Sequence, residues 1–172
     1  NEKITLDLLK KISNSRNLTI FLITHDIRIA KTYCSKHFYI NDNKMNVVKD
    51  ISSASLSIGL NFDKNNNPDF FDKNSKPQKE IIRVRDLSFS FDKNDQILSE
   101  LDFTINKGEI VGLIGLSGSG KSTITKILMK LYSADSGDCY IFGKDINHYN
   151  TKDYAAIVQI VFQDLYGSLN PK

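Results

Sequence analysis

The segment Gly115-Leu116-Ser117-Gly118-Ser119-Gly120-Lys121-Ser122-Thr123 fits the pattern G-x-x-x-x-G-K-[ST]. A loop of this composition does one kind of chemistry: it holds phosphates. Glycines at 115, 118 and 120 let the backbone turn tightly, so that successive N–H groups can point at phosphate oxygens at the positive end of a following helix. Lys121 can reach the β- and γ-phosphates of a nucleotide, and the Ser122 hydroxyl can hold Mg²⁺. The candidate binding residues are therefore Gly115, Ser117, Gly118, Ser119, Gly120, Lys121, Ser122 and Thr123, with Ser122 also a metal ligand. The plain alternative is a Gly/Ser-rich turn that happens to precede a helix.

The flanking elements argue for the loop. Residues 109–114 read as a buried strand feeding it, and residues 122–131 as the helix leaving it. Upstream, 81–85, 87–91 and 96–105 read as strand with partial alternation. Downstream, 138–142 and 158–162 read as strands, joined by 143–156 with some helix in it. Near the start of the chain, Ile4, Leu8, Leu9 and Ile12 recur at helical spacing. Residues 18–23 form a β-rich apolar run that reads as a buried parallel strand, followed by Thr24-His25-Asp26 and a helix to about residue 35. The runs 38–40 and 44–48 flank Asn41-Asp42-Asn43, which predicts a hairpin.

Between these parts, residues 51–79 lose periodicity in Ser-, Asn-, Asp- and Lys-rich sequence. That composition predicts a linker; the other reading is a long surface loop, but structureless loops beyond roughly 15 residues are uncommon in compact domains. Although 172 residues could fill one domain, the order of elements predicts two pieces joined by a seam. The hydrophobic content of 40% with 25% charged residues is that of a soluble globular protein, and no apolar run approaches the roughly 20 residues of a membrane span. The net charge of +3 is spread along the chain without a basic stripe, which argues against nucleic acid as a partner. Cys34 and Cys139 form neither a disulfide framework nor a metal site, which fits a reduced cytoplasmic setting. The chain starts with Asn1 rather than Met and shows no signal segment, which suggests a fragment.

Three further sites narrow the choice of family. Phe91 lies in Leu87-Ser88-Phe89-Ser90-Phe91, ahead of the loop. Gln163 ends Val158-Gln159-Ile160-Val161-Phe162-Gln163-Asp164, after it, and continues into Leu165-Tyr166-Gly167-Ser168-Leu169-Asn170-Pro171. With the phosphate loop, this combination resembles the ATP-binding subunits of ABC transporters, and residues 165–171 resemble the dipeptide, oligopeptide and nickel importers among them. The resemblance implies an α/β fold of the P-loop NTPase class, ATP and Mg²⁺ as cofactors, and stacking of adenine on Phe91. It gives Gln163 the role of the Q-loop glutamine, which touches Mg²⁺ or water and couples the ATP site to the membrane subunit. Residues 18–26 resemble the strand and switch-histidine loop of the same family, with His25 as the catalytic switch histidine. His37 and His148 lack such a setting and read as structural.

The resemblance covers nearly everything but the linker, in an unusual order. Residues 1–50 match the C-terminal piece of one ATPase domain and 81–172 the N-terminal part of a second, with 51–80 as the linker, as at the junction of a tandem fusion. On this reading His25 and Lys121 serve different ATP sites. The family's signature loop, Walker B aspartate, catalytic glutamate and D-loop are not in these 172 residues. Asp26 and Asp164 end apolar runs and could mimic the Walker B aspartate, but neither precedes Glu. The resemblance implies ATP hydrolysis coupled to uptake of peptides or a similar small solute, at the cytoplasmic face of the membrane. Its partners would be permease subunits, a solute-binding protein and a second ATPase domain. A catalytically inactive truncated fragment and a soluble, non-transport ATPase of the same class are the alternatives.

Overall fold

The computed structural model describes residues 2–48, 79–92 and 95–160. In chain order its elements are helix α1 (Glu2–Arg16), strand β1 (Ile20–Ile23), helix α2 (Ile27–Tyr33) and strands β2 (Lys36–Asn41), β3 (Lys44–Val48), β4 (Glu80–Ser90), β5 (Gln96–Asn106) and β6 (Ile110–Gly115). There follow helix α3 (Lys121–Leu128), strands β7 (Ser136–Ile141) and β8 (Lys144–Asp145), a 3-10 turn at Ile146–His148 and helix α4 (Thr151–Ile157).

Every residue of β6 is buried. A strand of this kind needs hydrogen-bonding partners along both edges, since no water reaches its backbone. β1 lies parallel on one edge, with Ile20 opposite Ile110 and Ile23 opposite Leu113. β2 lies parallel on the other, from Lys36 opposite Val111 to Ile40 opposite Gly115. β3 then folds back on β2 through Asp42 and Asn43, whose φ angles of 48° and 63° suit the tight turn that polar residues tolerate best. The first sheet thus runs β1-β6-β2-β3, and a second, antiparallel sheet runs β5-β4-β7-β8. Asp86 in β4 and Glu100 in β5 have φ near +50° beside irregularities of the β4–β5 register, the mark of bulges that bend the ribbon.

One core joins the two sheets. Phe38, Ile40, Val111 and Leu113 from the first meet Val84, Leu87, Leu98, Leu101 and Ile105 from the second, with Ile124 and Ile127 of α3 packed among them. Burying an aliphatic or aromatic side chain of this size stabilises a fold by about 1.5–3 kcal/mol. This shared apolar surface is the main force that brings phosphate loop and sheets together.

Residues 1–50 and 81–172 are expected to come from two different domains; in the structure β1, β2 and β3 share one sheet with β6. The physical reason is the two open edges of β6, which strands from the N-terminal segment satisfy. Thr19 adds a tie, its Oγ1 accepting from the Gly108 N–H at 2.9 Å. α1 exists where an amphipathic helix was expected, but of its apolar stripe Ile4 and Leu8 are 70% and 54% exposed, while Leu9 and Ile12 are half-buried. Polar contacts also hold it: Ser13 Oγ donates to Leu18 O at 2.7 Å and Tyr33 OH to Asp7 at 2.8 Å. α3 stops at Leu128, ahead of the expected 131, and Lys130 takes a left-handed φ of 59°. Of the strand expected over 158–162, residues 158–160 are not in strand conformation. Gln163, Asp164 and residues 165–171 lie outside the described residues, as does most of the expected linker.

Candidate functional site

The phosphate loop leaves the C-terminal end of β6 and enters α3, as its sequence required. Three of its glycines are there for geometry. A Cβ on Gly115 would stand 2.6 Å from Ile40 O and 2.7 Å from Ser119 Oγ, and one on Gly120 would stand 2.7 Å from Leu98 Cδ2. Gly118 and Gly120 also have φ of 81° and 96°, a region that L side chains avoid. Gly120 is the N-cap of α3, so the chain turns into the helix through a conformation only glycine adopts without strain. Leu98 and Ile97 of β5 lie beneath it, and the second sheet is thereby the floor of the loop.

Lys121 is the first residue of α3, and its side chain curls back over the loop. Nζ donates to Gly115 O at 2.9 Å and to Leu116 O, with Ser119 Oγ at 3.4 Å. Partial burial pulls its ammonium below the ordinary lysine range. The cation is thus tied to the loop's own carbonyls and to Ser119 Oγ, at the N-terminal end of α3. Ser117 and Ser122 are exposed, Ser119 is half-buried, and Thr123 is buried under the first turn. A Mg²⁺·nucleotide fits this donor set. The glycines clear the approach, the helix N-terminus and Lys121 supply positive charge, and Ser122 offers a hydroxyl in reach of solvent. Among the described residues no group of His, Cys, Asp and Glu could hold a metal ion by itself.

His25 is exposed, at the C-terminal end of β1. Thr24 N–H donates to Leu113 O at 3.1 Å, extending the parallel pairing with β6. His25 and the phosphate loop therefore emerge from the same end of adjacent parallel strands, the end at which open α/β sheets bind ligands. His25 and Lys121, expected to serve different ATP sites, here follow neighbouring strands of one sheet, β1 and β6. Asp26, the possible Walker B mimic, has a local task. Its Oδ1 accepts from the Arg28 N–H at 2.8 Å and caps α2, and its Oδ2 pairs with Arg28 Nη2 at 2.7 Å. His37 Nε2 lies 3.1 Å from Ala30 O, in keeping with a structural role.

Phe91 sits just past the end of β4, with 55% of its surface exposed. Two residues earlier, Phe89 pairs across the ribbon with Leu98, the residue that touches Gly120. This register puts Phe91 at the end of the ribbon that carries the floor of the loop. Sequence reading missed the residue that backs it, Tyr132, whose ring lies 5.8 Å from that of Phe91. Nothing local in the sequence could have marked Tyr132, because its partners come from β4.

Comparison with known proteins follows the same lines. Residues 98–172 match the family model of the ABC transporter. An ABC transporter ATP-binding protein of Bacillus cereus is 27% identical over 200 residues, covering 93% of this chain and 35% of its own length. The oligopeptide transport ATP-binding protein of Streptococcus mutans is 33% identical over 55% of this chain and 33% of its own. The ATP-dependent lipid A-core flippase of Aromatoleum aromaticum is 36% identical over 49% and 14%. The chain thus spans 14% to 35% of the length of these relatives.

Proposed function

We propose, from the match of residues 98–172 to the family model of the ABC transporter, that this chain has a P-loop NTPase fold and binds ATP·Mg²⁺ as part of a transporter ATPase subunit. The observation that carries the reading is the loop from Gly115 to Thr123, set between a buried strand and a helix, with Lys121 anchored over it by Gly115 O. Loop N–H groups and Lys121 hold the β- and γ-phosphates. Ser122 holds the metal, and Phe91 offers a ring for the base. Mg²⁺, when bound, supplies charge neutralisation on the phosphates. The residues of this chain orient the nucleotide and supply fixed positive charge where negative charge builds up.

The substrate is proposed as a peptide or similar small solute taken up at the cytoplasmic face of a membrane, with permease subunits, a solute-binding protein and a second ATPase domain as partners. The sequence 165–171 and the similarity to an oligopeptide transport protein support this. The similarity extends to a protein named as a lipid A-core flippase, so the domain match by itself does not choose the solute. Gln163 is proposed to couple the ATP site to the permease, and His25 to be the switch histidine.

The parent organisation is proposed as tandem, with 1–50 ending one ATPase domain, 51–80 linking, and 81–172 opening the next. Alignment of one relative across 93% of the chain supports it. Tandem copies of one fold would carry like strand edges, so the shared sheet β1-β6-β2-β3 is compatible with such a parent. Without the missing carboxylates the 172 residues hold nucleotide but do not position an attacking water, so phosphate release stays at background.

Titration of the chain with ATP·Mg²⁺, beside Lys121→Ala, tests the reading. Loss of a charge-assisted bond to phosphate is expected to weaken binding at least about tenfold. Equal affinity of the two proteins would remove Lys121, and with it the phosphate-loop assignment.

A further inference from the structure

Three aromatic rings gather where β4 ends beside the phosphate loop. Phe89 lies flat on Tyr132, with centroids 5.4 Å apart and planes 1° from parallel. Phe91 stands edge-on to both, 5.1 Å from Phe89 and 5.8 Å from Tyr132, at 87° in each case. Lys126 of α3 engages the same tyrosine, with Nζ 3.2 Å from its hydroxyl and 5.0 Å from its ring centroid. Because α3 begins in the phosphate loop, this cluster is tied to the element that holds the phosphates. The backbone here is held independently of the rings: Ser90 N–H donates to Asp135 Oδ2 at 2.7 Å, and Asp135 N–H to Ser88 O at 2.9 Å.

We propose that Tyr132 is a positioning residue for the nucleobase: with Phe89 it forms an aromatic wall that holds Phe91 edge-on and leaves a face of that ring ready for stacking. The inference rests on the nucleotide reading of the site. An exposed phenylalanine otherwise turns among rotamers, and stacking would have to overcome that freedom. The positive edge of one ring against the negative face of another fixes the orientation beforehand.

The test measures affinity of the full chain, with Mg²⁺, for ATP and for inorganic tripolyphosphate, which has the phosphates but no base. Tyr132→Ala is expected to weaken ATP about fivefold, in line with the strength of such ring contacts, and to leave tripolyphosphate unchanged. Tyr132→Phe keeps the ring and is expected to stay within about twofold of wild type on ATP. Equal loss on both ligands in Tyr132→Ala marks a merely structural role and overturns the proposal, as does unchanged ATP affinity. If Lys121→Ala loses both ligands while Tyr132→Ala loses neither, the nucleotide reading stands and the positioning role falls. Failure of wild type to bind either ligand overturns both.

Discussion

Asp26 follows an apolar strand, where a carboxylate in a phosphate-binding fold could hold a metal, yet here it serves its own helix. The hydrogen bond from the Arg28 side chain, with that from the Arg28 backbone, lowers its carboxyl from an ordinary 3.8 to about 2. A depressed carboxyl contributes stability that is complete above the unfolded value and is lost as pH falls through the folded one. Wild type is therefore expected to exceed Asp26→Asn in melting temperature by a constant small margin above about pH 4, and the margin should vanish toward about pH 2. Asparagine keeps a cap acceptor for α2, so the margin reports the charge. Melting curves from pH 2 to 7 check it; a margin that grows as pH falls would contradict the Arg28 pairing.

At the scale of the element, the loop between β6 and α3 separates two costs of a side chain on glycine. Gly118 and Gly120 both have positive φ, but a Cβ on Gly118 meets nothing within 4 Å, whereas one on Gly120 runs into Leu98 and Ile97 of β5. Gly118→Ala should cost only the left-handed backbone penalty, about 1 kcal/mol. Gly120→Ala adds overpacking against the second sheet and should cost about 3 kcal/mol. Urea denaturation of the two variants measures this order. Equal costs would mean that β5 does not floor the loop.

At the scale of the molecule, the decisive feature is that strands from either side of residues 49–78 lie in one sheet. Gly112 of β6 offers a direct check, since a Cβ built there lies 3.0 Å from Cys34 Sγ, next to α2. Gly112→Cys is expected to form a disulfide with Cys34, the S–S bond of about 2.05 Å being within reach. Burial raises the Cys34 thiol to about 12, so oxidation should be slow near neutral pH and quicken as pH rises. Intramolecular cross-linking, read by mass spectrometry and absent in a Cys34→Ser background, supports the composite sheet. Absence of the link at high pH would return the two segments to separate units.

The phosphate loop, its strand and its helix were legible in the sequence because their signals are local: glycines at fixed spacing, an apolar run before them and a helical run after. The hairpin through Asp42 and Asn43 was legible for the same reason, since polar residues that accept positive φ sit between two apolar runs. The apolar stripe of α1 marked a helix but not its surroundings, and Ile4 and Leu8 proved exposed because periodicity says nothing of which surface comes to meet it. Only the tertiary structure set β1 beside β6, brought His25 to the end of the sheet that carries Lys121, and put Tyr132 behind Phe91. Each of these depends on pairing of strand edges or rings far apart in the chain. The energy of such contacts comes from buried area and backbone hydrogen bonds that any apolar strand of suitable length could supply, so no local pattern names the partner.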